Sequence, residues 1–552
     1  MKKYITWLLV PGLFVWMTVL QGCVQQPHEK KQVIPLAFDS DQKSTVYSLT
    51  VDSVEVPVTV VPNVRPEEAE QISRDYRKLP EYCWIDSRYI TAHYAHFASD
   101  TVVRIRLKVG ELVKKYTIYP KRTHVLARVS GNELSFTLRR SRSPFYLVSV
   151  NHLPMFVILM ESPEAVRSLP EGEEQVSLKD FCEGTVTDYT EVFRKAIDSV
   201  NGTGKTLVVP PGEYLTEEIR IENGHDFNIF LAPGSLIRIK TSPAGENLPS
   251  AGILMNHCRN IRITGNGCLD HQAYENFHGG RNDYHHGFPG YDFYFKFEDI
   301  KPNSIYLQSP LMLIYSKNIT VEGLLIRNGR NYNINSRHCD DIVIRNVKVI
   351  TPAGSVPENT DGINIGSYHN FRIEHSFVYC NDDCFSMGHN LLPYDNRSAT
   401  GLVIDGLMGW NPRANGLRLG WACNTYIGDI LVKNSDFSGC RVCAMMLHKH
   451  SSTGEEVPDS LAYGTVRLES CTFDDVDRYT FPLMEVQNTV MRSLELVNVS
   501  FDTIPAKRAV IHGDSLRHIG TLLLENVRIA GRKVTENNFD FDTKNIKSII
   551  IK

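Results

Sequence analysis

Three aspartates carry the strongest chemical signal in this 552-residue chain. Asp361 stands in Glu358-Asn359-Thr360-Asp361-Gly362-Ile363, and Asp382 and Asp383 stand in Cys380-Asn381-Asp382-Asp383-Cys384. The pair follows Asp361 by 21 and 22 residues, close to one coil of a repeating β structure, which would bring all three carboxylates to one face. Like charges that close are costly unless one carboxyl holds a proton. Such a cluster can supply a protonated general acid beside ionised bases. Inverting glycoside hydrolysis needs that division of labour, an acid for the leaving oxygen and a base for water, roughly 6.5–9.5 Å apart. Coils about 4.8 Å apart along an axis, plus side-chain splay, meet that spacing. Either motif alone also reads as a turn or as Ca²⁺ ligands, because Asp-Gly is a common turn dipeptide. Both together at one coil's separation favour catalysis.

The elements around them have the required repeat. Thr190 to Val200 has helical spacing, with Val192, Phe193, Ala196, Ile197 and Val200 on one side. A strand motif then recurs: Asn260-Ile-Arg-Ile, Asn318-Ile-Thr-Val, Asp341-Ile-Val-Ile, Asn370-Phe-Arg-Ile, Gly401-Leu-Val-Ile and Asp429-Ile-Leu-Val, with weaker copies to Gly520. Most copies lie about 23 to 36 residues apart, the range of solenoid repeats. No second long helical stretch interrupts them. The pattern therefore predicts a right-handed parallel β-helix over 183–552, with stacked coils sharing one core and the early helix capping its open end. Upstream, Val46 to Val51, Val102 to Val109 and Leu134 to Leu138 alternate with period two, as half-buried strands do. Residues 35–182 thus read as a β-sandwich, with Arg104, Arg106 and Lys108 on a solvated strand face.

The first residues predict an address. Lys2 and Lys3 precede an apolar run from Tyr4 to Leu20, which ends at Leu20-Gln21-Gly22-Cys23. A basic start, a short apolar stretch and small residues at the cut site indicate a secretory signal, and the ending resembles a bacterial lipobox. Residues 1–22 are then a lipoprotein signal peptide, Cys23 carries the lipid, and 23–34 are a polar tether. The expected product is a secreted, membrane-anchored bacterial lipoprotein, periplasmic or on the cell surface, that meets the membrane only through this lipid. An uncleaved anchor is the weaker reading, since 17 residues barely span a bilayer. Removing 1–22 takes the formal charge from -4 to -6, so no basic field attracts nucleic acid. The other eleven cysteines form no dense disulfide framework and read mostly as small core residues. Cys440-x-x-Cys443 with His448 and His450 is a poor zinc site, and no metal or cofactor is expected.

The motifs resemble those of the polygalacturonase family, glycoside hydrolase family 28, whose Asn-Thr-Asp and Asp-Asp segments carry three catalytic carboxylates. They are also similar to the related dextranase and isopullulanase family 49, which sets a β-sandwich before its β-helix. The resemblance runs over about residues 185 to 510 and includes Pro211-Gly212-Glu-Tyr214 and Ile263-Thr-Gly265-Asn-Gly267. It implies Asp382 as general acid, with Asp361 and Asp383 activating the water, and a polysaccharide or oligosaccharide substrate. Two departures stand out: Asn415 replaces a family histidine, and Cys443 replaces a lysine expected to meet a substrate carboxylate, while Arg441 is kept. A buried carboxylate wants a paired cation, so this tilts the substrate towards a neutral or weakly acidic glycan unless Arg418 or Lys449 substitutes. Asn359, His389, Asn415, Arg418, Trp421, Arg441 and Lys449 make up the expected substrate-binding set. Trp410 and Tyr426 are further stacking candidates, and the His271 to Asn303 insertion either walls a cleft or packs on a coil. A lyase using Ca²⁺ on an acidic glycan, and a non-catalytic carbohydrate-binding β-helix, are the alternatives.

Overall fold

The computed structural model describes residues 32–62, 64, 66–77, 85–100, 102–141, 144–167, 174–240, 251–272, 309–329, 332–352, 360–387, 397–420, 426–447, 462–476, 482–504 and 507–552. Residues 1–31 with Cys23, Asn359, His389, Trp421, Lys449 and most of the 271–303 insertion lie outside the described residues. Among the described residues no helix is long and apolar enough to cross a membrane.

Two sheets form the N-terminal part. One has five antiparallel strands centred on Val102–Val109 and its partners Tyr47–Val51 and Glu133–Arg139. The other has six strands and includes Ala92–Ala98, Phe145–Val150 and Met155–Glu161. In Val102–Val109 every second side chain is buried, while Arg104, Arg106 and Lys108 face solvent, because successive strand residues point to opposite faces. Ile105, Leu107 and Phe136 of one sheet meet Phe97, Phe156 and Ile158 of the other in one core. This is the expected β-sandwich.

From Gln175–Ser177 onward the strands pair almost wholly in parallel, and this first strand already precedes residue 183. Each coil gives longer strands to one ladder and a two- to five-residue strand to a 12-stranded sheet. The recurrent motif has a direct physical reading. Its apolar residue stacks coil upon coil as Ile261, Ile319, Ile342, Phe371, Leu402 and Ile430, each at most 1% exposed. The residue before it turns the chain with φ of 54° at Asn260, 53° at Asn318, 55° at Asp341, 54° at Asn370 and 77° at Gly401. Asn, Asp and Gly tolerate this left-handed region, whereas β-branched residues do not. Their side chains also ladder, with the Asn318 amide donating to Asn260 at 2.8 Å and the Asn370 amide to Asp341 at 2.9 Å. The Thr190–Val200 helix buries Val192, Phe193, Ala196, Ile197 and Val200 in the same core as Leu207, Val209 and Ile219 of the first coils, the capping position expected of it.

The sandwich covers the outer face of the 12-stranded sheet. Phe145 lies 5.6 Å from Phe377 and Tyr119 5.3 Å from Trp410, between ring centroids. Two buried polar networks fix the junction. The Arg327 guanidinium donates to both oxygens of Asp41 at 2.6 and 2.7 Å and to Asp270 at 2.8 Å. The Lys348 ammonium, fully buried, donates to Glu161 at 2.5 Å. Nine described cysteines are free, and all but Cys182 are buried, matching their reading as core residues.

Candidate active site

The triad grows from coil register. Ile363, Phe385 and Leu417 stack inward as neighbours on successive coils. Two residues before each, the backbones of Asp361, Asp383 and Asn415 align, with the Gly362 N–H donating to the Asp383 carbonyl at 2.9 Å and the Cys384 N–H to the Asn415 carbonyl at 3.1 Å. One residue after each, Asn364, Ser386 and Arg418 form an outward polar row. Gly362 is required where it stands: a Cβ there would lie 2.2 Å from Val378 Cγ1 and 2.6 Å from the Cys384 carbonyl.

One oxygen from each of Asp361, Asp382 and Asp383 lies within 4.8 Å of the other two. These oxygens approach more closely than the roughly 6.5–9.5 Å that separates whole carboxyl groups in an inverting pair. The reason is local. Asp382 and Asp383 are sequence neighbours, Asp361 is one strand spacing away, and two arginines draw them together. The Arg418 Nε lies 2.9 Å from Asp383 Oδ2 and its Nη2 3.7 Å from Asp361 Oδ2. The Arg413 Nη2 donates to Asp382 Oδ2 at 2.6 Å.

Burial separates the roles. The Asp382 side chain is 17% exposed, against 2% for Asp361 and none for Asp383. Desolvation, then the Asp382 charge, pushes the Asp361 carboxyl well above the usual carboxylate range, although Arg418 and the Asn364 amide at 2.7 Å oppose it. Burial likewise raises Asp383 to about 6, against the pull of Arg418 and of the Asn415 donors. Behind them Arg337, buried, donates to Asn364 Oδ1 at 2.6 Å and is lowered to about 10 by desolvation. It orients the amide that holds Asp361.

Five expected residues are thus brought together: Asp361, Asp382, Asp383, Asn415 and Arg418. Asn415 and Arg418, expected on substrate, place polar atoms on Asp383 instead; both the Asn415 N–H and its amide donate to Asp383 Oδ1, at 3.0 and 2.6 Å. Arg441 lines a cleft beside the sandwich. Trp410 is 3% exposed and packed among Tyr89, Tyr119 and Tyr379, so it belongs to the domain junction. Tyr426 is exposed. Arg413, Arg337 and Asn364 escaped sequence reasoning. Their one signal was the need of three clustered carboxylates for counter-charge. The two guanidinium groups now meet that need, so the donor set is a poor fit to a bound Ca²⁺.

The protein is thus a parallel β-helix that carries a carboxylate triad at one turn and a β-sandwich packed on one of its sheets. The model of the family described as glycosyl hydrolases family 28 matches residues 203–396. Among curated relatives, a probable polygalacturonase of Vitis vinifera is 28% identical over 240 residues, 38% of this chain and 43% of that protein. An exopolygalacturonase of Zea mays is 26% identical over 227 residues, 41% of this chain and 51% of that one. The chain therefore spans about half the length of the curated relatives it matches. The solved structure of Dex49A from Penicillium minioluteum, 14% identical, covers 93% of this chain and 96% of its own with a TM-score of 0.54, which shows a shared fold. The chain is similar to family 28 over residues 203–396 and shares its fold with Dex49A.

Proposed function

We propose that the chain is a glycoside hydrolase that cleaves a polysaccharide or oligosaccharide with inversion, Asp382 acting as general acid and Asp361 with Asp383 activating the water. The observation that carries this reading is the triad itself, three carboxylates within 4.8 Å and counter-charged by two arginines. Burial keeps a proton in the triad on the Asp361 side, while Asp383 ionises at about 6. Asp383 therefore takes the proton from the water that Asp361 helps to hold, and the triad's own proton is the one passed through Asp382 to the leaving oxygen. Asp382 is the member with surface towards solvent, so it is the one placed to meet a leaving oxygen. Arg413 then stabilises the carboxylate left when the proton departs, an interaction that strengthens in the transition state. A water held at about 2.8 Å from an oxygen of each base can bridge oxygens up to about 5.6 Å apart, so the tight cluster has room for it. A base near pKa 6 is matched to neutral conditions. Neutral α-glucans, polygalacturonate and rhamnogalacturonan form the screen. Reducing-end release from at least one, abolished in Asp382→Asn while glycan binding persists, supports the reading; release that survives Asp382→Asn contradicts it.

We further propose that the chain is a lipoprotein anchored through Cys23, motivated by the Leu20-Gln21-Gly22-Cys23 ending. Palmitate labelling tests this, and label retained in Cys23→Ala would refute it.

A further inference from the structure

A second feature borders the catalytic coil. A cleft of about 960 Å³ opens where the sandwich meets the β-helix, near the upper end of the ~300–1,000 Å³ range of ligand pockets. Its β-helix wall includes Trp410, Pro412 and Arg441. Pro412 adjoins Arg413, which holds Asp382, so the cleft begins one residue from the catalytic turn. Its opposite wall is a sandwich segment containing Lys114, Lys115 and Tyr116.

The charge of this cleft is lopsided. Arg88, Lys114, Lys115, Lys121 and Arg441 line it against two acids, Glu111 and Asp475. Lys121 is already neutralised by Asp475 and Asp502, and Arg88 lies 3.3 Å from Asp86. Lys114 and Lys115 differ: both are exposed, and neither forms an ion pair among the described residues. Their backbone N–H groups donate to the Asn151 side-chain oxygen at 2.9 and 3.0 Å. The main chain that carries the two ammonium groups is thereby fixed at the cleft. Tyr119 and Trp410, both buried, form the packed base of the cleft, and Tyr89 beside them is half-buried.

We propose that this cleft is an accessory subsite in which Lys114 and Lys115 of the sandwich hold an anionic sugar residue, carboxylated or sulfated, of the same glycan chain on which the triad acts. The proposal deepens the glycan-hydrolase reading and rests on it. The sandwich then contributes specificity as well as covering the β-helix.

Calorimetry tests it with the full chain carrying Asp382→Asn, so that bound sugars are not turned over. The probes are a galacturonate hexamer, a sulfated maltohexaose and neutral isomaltohexaose. An anionic hexamer binds, and adding K114E and K115E raises its Kd at least tenfold, as expected for reversing two charges beside a bound anion. K114Q with K115Q gives a smaller rise, and binding weakens with salt. Which anionic hexamer responds identifies carboxylate or sulfate. An anionic Kd that moves less than twofold on charge reversal overturns the proposal, as does binding of the neutral hexamer alone or of none. Hydrolysis by the wild-type chain is scored separately. Cleavage with lysine-independent binding removes the subsite and leaves the hydrolase. Lysine-dependent binding with no cleavage of any glycan removes the hydrolase and leaves an anionic-glycan site.

Discussion

Replacing Glu161 by Ala tests how the sandwich is held against the sheet that leads into the triad's turn. Glu161 sits between Lys348 at 2.5 Å, His96 at 3.2 Å and the Asn346 amide at 2.9 Å, with 3% of its side chain exposed. Burial alone would raise its pKa, yet Lys348 and His96 bring it from 4.5 down to about 2. Each pKa unit corresponds to about 1.4 kcal/mol, so the carboxylate contributes about 3 kcal/mol at neutral pH. Truncation also strands the Lys348 ammonium, which has no exposed surface, and breaking one side of a buried pair costs about 3–5 kcal/mol. Urea unfolding followed by near-ultraviolet circular dichroism should therefore show Glu161→Ala less stable by about 3–5 kcal/mol. Glu161→Leu with Lys348→Met should recover most of that loss, because an apolar replacement removes both charges together. Since the folded pKa is depressed, the contribution is complete above about pH 4.5 and fades as pH falls towards about 2. Destabilisation below 1 kcal/mol, or a double variant no better than the single, would refute this reasoning.

Other perturbations reach the triad directly. Activity of the wild-type chain should climb as pH rises through about 6, where Asp383 ionises; a kcat/KM profile flat between pH 5 and 7, windows chosen around that value, would contradict its role as base. Arg418→Met removes the cation 2.9 Å from Asp383 and should carry that limb upward by about 1–3 pH units, so an unmoved midpoint argues against the clamp. Arg413→Ala should lower kcat by about 10²–10³ with little change in KM, and an unchanged kcat would show that Asp382 needs no partner. Gly362→Ala drives a methyl into Val378 and the Cys384 carbonyl; a cost of about 1–3 kcal/mol is expected in thermal melts, together with lost turnover, and a variant matching wild type in both would show the contact to be relieved elsewhere.

Much of the scaffold was legible because its rules are local. The Asn-Ile-x-Ile motif combines a residue that tolerates positive φ with one that must fill a stacked core, so Asn318, Ile319, Asn370 and Phe371 announce their positions. The triad was legible because Asp361 and Asp383 lie one coil apart. What could not be read depended on reach between coils and domains. Arg413 meets Asp382 only because the next coil folds back there through Asn411, whose side-chain oxygen accepts from the Arg413 N–H at 2.8 Å. Glu161 and Lys348 meet across 187 residues, and no periodicity reports such a pair. The close approach of the carboxylate oxygens is set by strand spacing and two guanidinium groups, neither of which the two motifs state.

Proton NMR of the first product formed by the wild-type chain on its best glycan tests the central claim most directly. If Asp361 and Asp383 deliver water from the face opposite Asp382's leaving group, the new reducing end appears first as the inverted anomer and then mutarotates. Initial appearance of the retained anomer would contradict the account, since it requires one of these carboxylates to attack the sugar itself.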